Sequence, residues 1–338
     1  MRKVLITGSA GFIGYHLAAE MLAQGWQVLG VDCLTDYYDT RLKARRHSHL
    51  LQSDAFRASE ADIRDYDALA PVARDFGPDV IVHLAAQAGV RYSIENPRTY
   101  VETNVTGTFN VMECAREGGV EHLLMASTSS VYGANTEMPF AEGQKADTQM
   151  TLYAATKKAN ENMGHCYAHL WHMPTTMFRF FTVYGPWGRP DMALFKFVDA
   201  GLNGRPIDVY NHGRMERDFT YVTDLVRAIR LLVDAPPPQV DDRAGSEVPG
   251  DTLSPAAPFR VVNIGNSDKV PLLTFIDEIE RALGQQLERN MMDMQPGDVP
   301  ATWADCDLLR ALVGYAPETS VRDGVRAFVD WYRDYYGA

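Results

Sequence analysis

Hydrophobic residues in the first half of the chain fall in short, β-branched runs separated by longer stretches with helical spacing. The runs at 4–7, 28–31, 56–59, 80–84, 122–126 and 176–179 include several that are apolar nearly throughout, as strands covered on both faces are. Between them, 12–23, 65–76, 100–117 and 151–170 are long enough and suitably patterned for helices. This alternation predicts an α/β fold: a doubly wound parallel sheet of Rossmann type, closed by right-handed crossovers. Past about Gly185 the rhythm breaks into less regular elements, with helical stretches near 193–203, 222–233, 272–283 and 321–336. The expected organisation is a first domain over 1–184, with some chain exchange, and a smaller mixed α/β C-terminal lobe over 185–338. Residues 236–258 hold three consecutive prolines followed by Asp, Gly, Ser and Pro in quantity, and are expected to form a mobile surface insertion.

Composition narrows the class. Of 338 residues 46% are hydrophobic and 22% charged, which fits a globular chain able to bury a large core. A formal charge of −12 repels phosphate backbones and anionic membranes, so neither nucleic acid nor a membrane is an expected partner. An anionic small ligand would need arginines converging locally. The chain opens with Met1-Arg2-Lys3 and an apolar run too short for a signal-peptide core or a membrane span, which predicts a cytoplasmic protein. Cys33, Cys114, Cys166 and Cys306 lie far apart, and His165 and His169 lack the glutamate of a metalloprotease helix, so no metal site is expected.

The chemistry begins directly after the first strand. Thr7-Gly8-Ser9-Ala10-Gly11-Phe12-Ile13-Gly14 is a G-x-x-G-x-x-G turn opening a helix, and Asp32 closes the next strand 18 residues beyond Gly14. Such glycines admit a pyrophosphate to the amides at the helix N-terminus. Asp32 would accept from the adenosine ribose and repel a 2′-phosphate, and no arginine adjoins it in Cys33-Leu34-Thr35, so NAD is favoured over NADP. Tyr153 and Lys157 stand four apart on one predicted helix face, where a nearby ammonium and a positive nicotinamide would pull the phenol far below its usual value of about 10 and make it a base. Ser127-Thr128-Ser129-Ser130 falls at the carboxyl end of a strand, the edge where such sheets bind ligands.

On these residues, and on three longer stretches, the chain resembles the extended short-chain dehydrogenase/reductases and, within them, the UDP-glucuronate 4-epimerases. The stretches run from His83 to Ser93, from Thr182 to Met192, and from Gln295 to Pro300, and the resemblance extends from Met1 to Trp331-Tyr332. It implies Tyr153 as base, Lys157 on the nicotinamide ribose and Thr128 as the active-site hydroxyl. It also implies Asp62 and Ile63 at adenine, with Leu84, Ala85, Ala86, Asn104, Ser127 and Phe180 about the cofactor. Arg189, Arg217 and Asp298 would then contact a UDP-sugar, and the two arginines would answer the need for local cations.

Within that resemblance, the residues after Thr128 discriminate. Sugar-nucleotide 4,6-dehydratases typically carry Asp-Glu there and UDP-glucuronate decarboxylases Ser-Glu, whereas this chain has Ser129-Ser130. Simple epimerisation is therefore the leading expectation, with Ser129, Ser130, Thr182 and Arg91 facing the sugar carboxylate. The alternatives are a UDP-glucose/galactose epimerase, a UDP-glucuronate decarboxylase, and a catalytically silent NAD-binding scaffold. The resemblance further implies a homodimer paired through 100–117 and 151–170.

Overall fold

The computed structural model describes residues 1–243 and 248–337. In its first half, β1 (Lys3–Thr7), α1 (Phe12–Ala23), β2 (Gln27–Asp32), α2 (Thr40–Leu50), β3 (Phe56–Glu60), α3 (Tyr66–Phe76) and β4 (Val80–His83) follow in strict alternation. Two short turns, α4 (Tyr92–Glu95) and α5 (Pro97–Tyr100), then lead through a π-helical stretch, Val101–Gly107, into α6 (Thr108–Gly118). β5 (His122–Thr128), α7 (Leu152–Trp171) and β6 (Thr175–Phe180) complete this half.

The second half contributes β7 (Thr182–Tyr184), α8 (Ala193–Leu202), β8 (Ile207–Val209), β9 (Glu216–Tyr221), α9 (Val222–Val233) and β10 (Phe259–Ile264). After these come β11 (Lys269–Pro271), α10 (Leu272–Leu283), β12 (Arg289–Met291), β13 (Ala301–Thr302), α11 (Asp307–Val313) and α12 (Val321–Tyr336).

Among the described residues the main sheet has seven parallel strands in the order β10-β6-β5-β4-β1-β2-β3. Chain direction across the sheet reverses between β1 and β4, so their carboxyl ends open the crevice in which doubly wound folds hold ligands. Alternate strand residues feed two cores. Val4, Ile6, Val28 and Val82 pack with α1, α9 and α11, whereas Leu5, Leu29 and Ile81 pack with α3, α6 and α7. A third core, with Phe195, Phe275 and Phe328 from α8, α10 and α12, holds the smaller lobe together.

The chain exchange is substantial, since β10 is an edge strand of the main sheet and α9 packs on α1 although both follow residue 184. The two described arms of 236–258 make specific side-chain contacts. Arg260 pairs bidentately with Asp251, both nearly buried, and Arg243 donates to the carbonyls of Ser254 and Ala257. His165 and His169, weighed above as metal ligands, bond Ser254 and the Ala256 carbonyl instead. The middle of the insertion, 244–247, and residue 338 lie outside the described residues. No helix among those described is long and apolar enough to cross a membrane.

Candidate active site

The carboxyl ends of the sheet and the inner edge of the smaller lobe enclose a cavity of about 1080 Å³. Its floor at one end is the glycine turn. Gly8 has φ of +75°, and a Cβ there would lie 2.9 Å from the Ala85 amide nitrogen. At Gly14 a Cβ would meet the Gly8 carbonyl oxygen at 2.1 Å, so the helix start can press against the turn only without a side chain. The first-turn amides of α1, from Phe12, lack intrahelical partners and face this cradle, which fits a pyrophosphate.

Asp32 ends β2 beside the turn. Its carboxylate accepts the Ala10 amide at 3.0 Å and the Leu34 amide at 2.8 Å. Asp62, Ile63, Leu84, Ala85, Ala86, Ser127 and Phe180 all line the same cavity. Asn104 does not; fully buried in the π-helical stretch, it stands behind the wall and bonds both backbone groups of Gln87 and the Thr156 hydroxyl. His83 also works from behind. Thr7 Oγ1 takes the Leu84 and Ala85 amides and donates to His83 Nδ1, whose Nε2 then donates to Thr108. Burial holds that imidazole neutral, with its pKa lowered to about 3.

At the other end, α7 presents Tyr153 and Lys157 to the cavity, its first turn fixed by the Thr151 hydroxyl accepting the Ala154 amide. Lys157 Nζ donates to the Ala126 carbonyl at 3.0 Å, and burial lowers its pKa to about 8. The strong lowering expected for Tyr153 is not what the protein alone produces. Burial raises the phenol, and a hydrogen bond with Thr128 and the Arg189 charge only oppose that rise. Lys157 is itself desolvated and partnered by a carbonyl, which explains why it does not dominate.

Thr128 ends β5. Its Oγ1 accepts the Ser130 amide at 3.2 Å and lies 3.3 Å from Ser130 Oγ, so Ser129, Ser130 and Thr182 form a rim of small hydroxyls beside Tyr153. Beneath that rim, Ser127 Oγ donates to Glu161 at 2.6 Å, and Glu161 is held in turn by a bidentate Arg179 within the core.

The expected cations are present with partners. Arg189 forks onto Asp191, and Arg217 donates to the carbonyls of Glu216, Val299 and Pro300. Both line the cavity, as does Asp298. Arg91 stands outside the lining residues, where it pairs with Asp298 at 2.8 Å and covers the Tyr210 ring.

The fold adds residues that the sequence reading passed over. Lys43 and Tyr38, from α2 and the loop before it, line the cavity near Asp32, and the Lys43 ammonium donates to Thr35. Tyr37 lines it too and reaches Asp191 at 3.4 Å. Only the capping residue Asp39 ahead of α2 could have signalled a helix there.

Comparison with known proteins places this geometry. The NAD dependent epimerase/dehydratase family matches residues 4–243. The chain is 55% identical over 334 residues to a probable UDP-glucuronate 4-epimerase of Rhizobium meliloti (strain 1021), covering 99% of this chain and 98% of that one. It is 42% identical to UDP-glucuronate 4-epimerase 2 of Arabidopsis thaliana, covering 99% of this chain and 76% of that protein. Among solved structures, UDP-glucuronic acid 4-epimerase from Bacillus cereus, in complex with UDP-glucuronic acid and NAD, superposes with a TM-score of 0.87. It is 30% identical, and the match spans 99% of this chain and 100% of that one.

Proposed function

The chain belongs to the NAD dependent epimerase/dehydratase family, and on that premise we propose that it inverts C4 of a UDP-linked hexuronate, interconverting UDP-glucuronate and UDP-galacturonate. The observation that carries this reading is the meeting, in one cavity, of the glycine cradle, the Tyr153–Lys157 pair with Thr128, and a hydroxyl rim without an added carboxylate. A nicotinamide cofactor held by the glycine cradle, Asp32 and Lys157 would supply a reversible hydride acceptor for C4, and a positive charge that would favour a phenolate nearby.

The chain's own residues supply the rest. Tyr153 removes the proton of the C4 hydroxyl, aligned by Thr128, and gives it back after the 4-keto sugar has turned over. Lys157 holds the cofactor ribose and keeps a cation under the phenolate. Arg189 and Arg217 grip the diphosphate, so the sugar can turn while the nucleotide stays fixed. Ser129, Ser130 and Thr182 offer the sugar a polar but yielding surface. Asp32 and the α1 amides hold the adenosine ribose and the cofactor pyrophosphate.

The working unit is a homodimer paired through α6 and α7. Phe109, Leu170 and Trp171 are about half exposed on these helices, with Tyr167 touching both aromatic rings of the group. Incubation with UDP-glucuronate, and separately with UDP-glucose, followed by chromatography tests the activity. UDP-galacturonate is the expected product; UDP-pentose would indicate a decarboxylase, UDP-galactose a neutral-sugar epimerase, and no conversion a silent fold.

A further inference from the structure

Arg46 is fully buried at the back of the cofactor lobe, and no carboxylate among the described residues pairs with it. Its guanidinium is spent on neutral acceptors. Nη1 donates at 2.8 Å to the Ala10 carbonyl, inside the glycine turn, and at 2.8 Å to the Tyr38 hydroxyl; Nη2 donates to the carbonyls of Trp187 and Gly188. Nε is left without an acceptor. A buried cation is costly without an anion, so its position calls for a role beyond packing.

The carbonyl acceptors belong to two separate segments, the glycine turn and the loop that leads to Arg189. Ala10 is held from opposite directions, its amide by Asp32 and its carbonyl by Arg46, within the turn that fits a pyrophosphate. Trp187 and Gly188 immediately precede Arg189, and Trp187 carries a φ of +61°, an uncommon conformation for a bulky residue that its surroundings must hold. Two further struts run the same way. His16 of α1, kept neutral by burial with its pKa lowered to about 4, donates from Nε2 to the Pro186 carbonyl at 2.9 Å, and Tyr37 reaches Asp191, the carboxylate that orients Arg189.

We propose that Arg46 is a positioning residue that couples the two binding sites: it ties the glycine turn to the 186–191 loop, so that each ligand is held more tightly when the other is present. This rests on the reading of the cavity as a joint NAD and UDP-sugar site. The physical chain is short. A pyrophosphate on the turn places negative charge near the Arg46 guanidinium and favours the arrangement in which that guanidinium grips the turn. The same grip fixes the carbonyls at 187 and 188, and hence the backbone from which Arg189 projects. Linkage requires the effect to be reciprocal.

The experiment uses holoenzyme. NAD release into an excess of a trapping dehydrogenase is followed with and without saturating UDP, and UDP affinity is measured by calorimetry. For the unmodified protein, UDP is expected to slow NAD release about fivefold or more, the lower end of ordinary coupling. Arg46→Lys keeps the charge but cannot span both acceptor groups, and His16→Phe keeps the ring but loses the donor to Pro186. Each should reduce that slowing to less than about twofold and weaken UDP binding about fivefold. KM should rise alongside while kcat changes little, because Tyr153, Thr128 and Lys157 hang from β5 and α7.

Unchanged slowing in both folded variants, or equal losses in kcat and KM, overturns the coupling role. If the unmodified protein binds UDP and NAD but neither affects the other, this inference alone fails; if it binds no UDP, the proposed function fails first.

Discussion

Tyr153 sits between opposed pulls: burial favours the neutral phenol, while Thr128 and the Arg189 charge favour the phenolate. Because burial prevails and raises the phenol, Tyr153, as the proposed base, would need the bound cofactor to ionise, and proton removal would then be confined to the loaded enzyme. Tyr153→Phe should therefore keep NAD, read by its absorbance in the purified protein, while turnover falls by roughly 10² to 10⁴; near-normal turnover would remove Tyr153 from the role. The neighbouring hydroxyls face a different demand. Oxidising C4 of a glucuronate leaves a β-keto acid, whose carboxylate departs as carbon dioxide unless donors stabilise its charge. Thr182→Val and Ser130→Ala should raise the yield of UDP-pentose relative to UDP-galacturonate, measured by chromatography, and an unchanged ratio would leave these residues as mere lining. Such residues were legible in the sequence because their signals are local: a glycine turn, a Tyr-Lys spacing, a hydroxyl run at a strand end. Arg46, Lys43, Tyr37 and Asp191 were not, since each acquires meaning only from partners more than a hundred residues away or from a neighbour that tertiary folding supplies.

At the scale of elements, strands β1 to β6 stand within a residue or two of where hydrophobic runs placed them; β1, β2, β4 and β5 are buried and largely apolar, whereas β3, at the sheet edge, buries only Phe56. Helix α2 escaped for the converse reason. Its buried stripe is Leu42, Lys43, Arg46, His47 and Leu50, a helical spacing in which three of five positions are basic, so no apolar periodicity exists to be read. β10 is apolar enough but sits far along the chain in an irregular half, where nothing local says that it joins the first sheet. That junction carries its own test. Glu142 accepts the amide of Asn263 in β10 at 2.7 Å, and burial raises its pKa from 4.5 to about 7. The folded state thus holds this proton more firmly than the unfolded chain, so the group stabilises the fold below about pH 4.5 and that contribution is lost as pH rises towards 7. Glu142→Gln keeps an acceptor for Asn263 without the charge. Urea unfolding at pH 5 and pH 8 should show the unmodified protein losing about 2–3 kcal/mol more than the variant across that window, on the scale of 1.4 kcal/mol per pKa unit; parallel losses would mean that Glu142 does not titrate with folding.

For the whole molecule, the helix proposed to carry the base is also the helix proposed to pair. α7 runs for 20 residues, about 30 Å, with Tyr153 and Lys157 in its first turns and Leu170 and Trp171 at its end. The exposed apolar group on α6 and α7 is made of Phe109, Leu170 and Trp171, none of which lines the cavity, so a second copy seated there would cover surface away from the proposed chemistry. This separates the dimer's contribution from catalysis and fixes the sign of its loss. Phe109 and Trp171 are each 45% exposed and converge on Tyr167, while Arg116 lies over the Trp171 ring at 5.3 Å, so the patch is apolar at its centre and ionic at its edge. An aspartate in that centre would be buried unpaired in a dimer and simply hydrated in a monomer. Trp171→Asp should accordingly sediment as a single chain where the unmodified protein sediments as two, and its Tm should stop rising with protein concentration, as mass action requires once association is lost. Turnover per chain, measured below the melting range, should fall by no more than about threefold, because the cavity remains whole and only a minor part of the catalytic free energy, under about 1 kcal/mol, depends on how firmly α7 is held. A dimeric Trp171→Asp protein would place the pairing surface elsewhere, and a monomer without activity would mean that the partner does reach the site.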